Sequence, residues 1–70
     1  MDIETAENVS KKLTDSLQTI NEAAALIREN CPDAERRAHF EPISQAMALL
    51  FDELDLLYEE YPSLRPENDQ

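Results

Sequence analysis

The sequence predicts an all-α fold, a hairpin of two long antiparallel helices, and three observations carry that prediction. The 70 residues include no Gly and no Asn-Gly or Asp-Gly pair, so the tight turns that join β-strands lack the residues they need. Ala, Leu, Glu and Gln, which lose little freedom in a helix, are abundant. Apolar residues recur at spacings of three and four in two blocks, separated by Asn30-Cys31-Pro32-Asp33.

The first helix is expected over about 3–29. Leu13, Leu17, Ile20, Ala24, Ile27 and Cys31 alternate spacings of four and three, and Ile3, Ala6 and the polar Ser10 extend the stripe upstream. The turn is expected over 30–32, where Asn30 suits a left-handed residue closing one helix and Pro32 suits the start of the next. The second helix is expected over about 33–60, with Phe40, Ile43, Met47, Leu50, Leu54, Leu57, Tyr61 and Leu64 in unbroken three-four spacing. Pro42 lacks the amide that would bond the Ala38 carbonyl, which predicts a kink near Ala38 to Glu41, or a short helix over 33–39 followed by a fresh start. Pro62 ends the second helix. The hairpin domain therefore takes in 1–61, and 62–70 is expected to be a flexible acidic C-terminal tail with Leu64 able to fold back.

The apolar arc of the second helix is wider than one neighbouring helix can cover. Phe51 and Tyr58 flank the seam on one side and Ala46 on the other, with Leu49 and Leu56 further round. A chain this short rarely encloses an adequate core alone. Its single cysteine, Cys31, allows no internal disulfide, and self-association is the support that remains. Pairing two hairpins into a homodimeric four-helix bundle meets the need, with Ala23, Ala24 and Ala25 permitting close approach. The expected dimer interface is Phe40, Ile43, Met47, Leu50, Phe51, Leu54, Leu57 and Tyr58.

Charge narrows the choice of partners. Sixteen acidic against six basic residues give a formal charge of −10, which disfavours phosphate-mediated nucleic-acid binding and anionic membrane surfaces. The start of the sequence has neither a basic nor an apolar signal segment, and the unbroken apolar runs, Ala23 to Ile27 and Ala46 to Phe51, are far too short to span a membrane. With one free thiol, these features point to the cytoplasm.

Signals for chemistry are weak. His39 has Arg36 where a di-iron bundle site would need Glu, and Glu35 with His39 reads as a surface pair one turn apart. Cys31 and His39 have no third group placed to orient the histidine, and Cys31 falls in register with the first seam, as a small core residue would. No phosphate loop, dinucleotide fingerprint or calcium loop occurs. No catalytic residue, metal ligand or cofactor is expected.

The strongest functional signal is the segment from Ala38 to Leu64, which holds Glu41, Asp52, Glu53, Asp55, Glu59 and Glu60 and no Lys or Arg. Asp55 and Glu59 repel at i and i+4, and Glu59 and Glu60 sit at a helix C-terminus, where the macrodipole favours cations. Leu49 and Leu56 project among these acids and resemble apolar anchors with a charged rim. The expectation is a small acidic protein-interaction module, acting by binding and not by catalysis. It would dock a basic partner through Leu49, Leu56, Asp52, Glu53, Asp55, Glu59 and Glu60, as an adaptor, a regulator or an antitoxin- or immunity-like inhibitor. The alternatives are a purely structural or regulatory self-associating bundle, in which the leucines are buried between copies, and a DNA mimic that occupies a DNA-binding protein.

Overall fold

The computed structural model describes residues 1–66, all helical or connecting, with no strand among them. Helix α1 spans Ile3–Asn30 and helix α2 spans Asp33–Glu60, 28 residues each. At ~1.5 Å per residue each helix is about 42 Å long, which matches the 44 × 19 × 19 Å extents of an elongated hairpin. Among the described residues no helix is long and apolar enough to cross a membrane.

Each terminus has a local cause. Asp2, extended at φ −85° and ψ 168°, caps α1 by accepting from the Thr5 N–H at 2.8 Å. At the other end of α1 no described residue adopts positive φ. Asn30 stays helical and donates its side-chain amide to the Leu26 carbonyl at 2.9 Å, while the extended Cys31 donates its N–H to the Ile27 carbonyl at 3.0 Å. The helix thus ends without a left-handed residue, and the Asn30 amide folds back onto a carbonyl one turn earlier that already lies within the helical ladder. Pro32 supplies the extended residue before α2, and Asp33 and Glu35 complement the dipole of its first turn.

Helix α2 continues as one element through Pro42. After Tyr61, Pro62–Leu64 form a 3-10 turn closed by bonds from Leu64 N–H to the Tyr61 carbonyl and from Arg65 N–H to the Pro62 carbonyl. The last four positions of the expected tail, 67–70, lie outside the described residues.

The core is thin. Ala6, Leu17 and Ala24 of α1 and Leu54 and Leu57 of α2 are buried, and the other seam residues keep part of their surface. Ser10, the polar member of the α1 seam, satisfies its hydroxyl on the Glu7 carbonyl at 2.9 Å. On α2 both buried residues belong to the last two turns, and nothing from 33 to 53 is buried.

Candidate functional site

Helix α2 carries the surface of interest, and the ~100° step between residues sorts it into three faces. The inward face holds Leu54 and Leu57, 5% and 2% exposed, with Ile43 and Leu50 half-buried. Hairpin formation has already consumed much of this face. Leu54 and Leu57, expected in the dimer interface, are thus packed within a single chain.

One flank carries Leu49 and Leu56, seven residues apart and 70% and 54% exposed. Asp52, Glu53 and Glu60 lie within a turn of one or the other, and Asp55 and Glu59 continue the acidic surface round the back of the helix; all five are exposed. None of them forms an ion pair with another described residue. The seven residues expected to bind a partner therefore share a continuous, solvated surface in which the acids surround two apolar side chains.

The opposite flank carries Phe40, Met47 and Tyr58, half-buried, and Phe51, 52% exposed. Two features of this flank were not anticipated from sequence. At its N-terminal end Asp33, Arg36, Arg37 and Phe40 line an open cleft of about 330 Å³, with the Arg36 guanidinium ion-paired to Asp33. At its C-terminal end Arg65 lies over the Tyr58 ring, its guanidinium carbon 5.6 Å from the centroid. Nearby, the Tyr61 hydroxyl donates to the Met1 carbonyl and joins the two ends of the described chain. The clasp had a faint signal, because Tyr58, Tyr61, Leu64 and Arg65 recur at helical spacing across Pro62.

At the turn, Cys31 is half-buried and His39 exposed. Among the described residues no three His, Cys, Asp or Glu side chains converge as a metal ligand set. No family model, curated protein or solved structure matches this chain, so its functional reading rests on its own surface chemistry.

Proposed function

We propose that this chain is a small acidic protein-interaction module that acts by binding and not by catalysis, in the cytoplasm, as an adaptor, regulator or antitoxin- or immunity-like inhibitor. Two hairpins pair through the apolar flank and residual seam of α2 as a four-helix bundle, with α2 bent at Pro42. The outer surface then offers Leu49 and Leu56 as anchors to a basic, amphipathic element of a partner protein. Asp52, Glu53, Asp55, Glu59 and Glu60 steer and register that element.

The observation that carries this reading is the exposure of Leu49 and Leu56 in a segment, 38–64, without one Lys or Arg. Bulky apolar side chains facing water singly are unremarkable. Two of them a heptad apart, ringed by acids that make no ion pair with a described residue, suit a binding face.

The test is a titration with a synthetic basic helix bearing leucines seven apart and lysines beside them, against a scrambled peptide. Amide shifts should centre on Leu49, Glu53 and Leu56, and affinity should fall as salt rises. The paired change Leu49→Ser and Leu56→Ser should abolish binding while sedimentation equilibrium still gives twice 8.0 kDa. A paired variant that sediments as a monomer would instead place both leucines in the dimer seam, in favour of a purely self-associating bundle.

A further inference from the structure

We infer that the second copy lies antiparallel along the Phe40–Tyr58 flank of α2, with the basic cleft at the turn end of one copy receiving the acidic, aromatic end of the other. This rests on the dimer reading above and adds its orientation and register.

The flank is a stripe of its own, Phe40, Ser44, Met47, Phe51 and Tyr58, in which the buried Leu54 completes the alternating spacings of four and three beneath the surface. Its ends differ in charge. At the N-terminal end Arg36 is committed to Asp33, but Arg37, exposed at the rim of the cleft, forms no ion pair with any described residue. Eighteen residues on, Asp55 occupies the same angular position as Arg37, and Glu59 lies beside it, both exposed.

A two-fold interface must be self-complementary: whatever residue i touches in the partner must touch i in return. Parallel pairing along this flank sets Arg37 against Arg37 and Asp55 against Asp55. Antiparallel pairing with the axis level with Gln45 and Ala46 sets Arg37 level with Leu54 and beside Asp55 of the second copy, which moves Asp55 from the outer partner-binding surface to the dimer contact and leaves Asp52, Glu53 and Glu60 around Leu49 and Leu56. The same register places Phe40 on Phe51, and Ser44 on Met47, so aromatic meets aromatic and small meets large. Tyr58 then falls level with Asp33, at the mouth of the cleft.

Burial points the same way. Positions 33–53 of α2 contain no buried residue, whereas Leu54 and Leu57 are enclosed where the chain ends meet. Antiparallel pairing lays the enclosed end of each copy over the open end of the other.

Disulfide trapping tests the orientation in a Cys31→Ser background. One chain carries Arg37→Cys and the other Asp55→Cys, so each has a single thiol and every disulfide formed joins two chains. Oxidation of the mixture should give mainly the mixed disulfide, identified by mass. Charge reversal is the second arm. Arg37→Glu and Asp55→Lys should each weaken dimerisation roughly tenfold, and both together in one chain should restore it. A dimer that traps only like-with-like disulfides, or whose affinity neither reversal moves, overturns the antiparallel flank and leaves self-association standing. A wild-type chain that sediments as a monomer at every concentration overturns both.

Discussion

Where the termini meet, Leu54 and Leu57 are buried, the 3-10 turn after Tyr61 brings Arg65 over Tyr58, and the Tyr61 hydroxyl reaches the Met1 carbonyl. At the connecting turn, Phe40 and Ile43 occupy equivalent positions of the same seam, yet both keep part of their surface. Periodicity is identical at the two ends, so periodicity does not explain the difference. Two helices bury only the line along which they touch, and fuller enclosure takes a third layer. At one end the chain folds on past α2, bringing Arg65 over Tyr58. At the other, where Ala24 of α1 is buried, Phe40 and Ile43 of α2 keep part of their surface beside Arg36 and Arg37, and this is the surface that the proposed second copy would cover.

The most direct way to break this comparison is to truncate one seam residue at each end. Leu57→Ala removes a side chain that is 2% exposed and should cost about 2–5 kcal/mol, which approaches the whole stability expected of so small a domain. Ile43→Ala, at a half-buried site, should cost the isolated hairpin only about 1–2 kcal/mol. Urea unfolding at the lowest workable concentration measures both. Equal penalties there would mean that the turn end is as well enclosed as the other. A penalty for Ile43→Ala that grows with concentration would show the missing cover arriving from a second copy.

A smaller effect concerns the clasp. Tyr61→Phe keeps the ring and removes only the hydroxyl that donates to the Met1 carbonyl. The bond is exposed, so the loss should sit near the low end of the ~0.5–1.5 kcal/mol typical of an intramolecular hydrogen bond. Hydrogen exchange should localise it: amides of the first turn of α1 should lose protection, while those around Asn30 and Arg36 should not change. Uniform loss of protection along both helices would mean that the two ends unfold as one unit and differ only in packing.

The seams were legible because a side chain's face follows from its position modulo the helical repeat, and three-four spacing from Phe40 to Leu64 leaves little freedom in where α2 turns its apolar stripe. Leu49 and Leu56 fall well round from that stripe, and the single chain leaves both exposed, although their spacing alone left open burial between copies. What spacing does not report is which chain covers a face. Leu54 and Leu57 read like Phe40 and Ile43 in sequence, yet the first two are buried and the other two keep part of their surface. The 3-10 turn after Tyr61 was read as part of a tail because the contact beside it, Arg65 over the Tyr58 ring, is made across Pro62, where helical spacing stops being a guide. The closure of α1 shows a subtler limit. Asn30 was rightly placed at a helix end, but its backbone stays helical and its amide folds back onto the Leu26 carbonyl one turn earlier, with no described residue left-handed.

The smallest expected effect again separates the two ends, this time by pH. The Thr5 side-chain hydrogen bond, and then the Thr5 backbone N–H, hold the Asp2 carboxyl below its ordinary value. A depressed folded-state pKa stabilises the fold fully above the unfolded value of ~4 and loses that contribution as pH falls through the folded value. Only the end at which α1 begins carries such a cap, because Pro32 offers α2 no side-chain bond. Asp2→Asn keeps an acceptor oxygen of similar capping strength and removes the titration. Melting temperatures of the two proteins should therefore separate, with wild type the higher, at pH 5, and converge near pH 2, while Thr5 and Ala6 amide protection falls in wild type over the same interval. Because the other acids titrate in both proteins, the difference between the two curves isolates Asp2. A difference that stays constant down to pH 2 would mean that the Thr5 bonds hold the protonated and ionised carboxyl equally, and that the closed end owes nothing to charge at its cap.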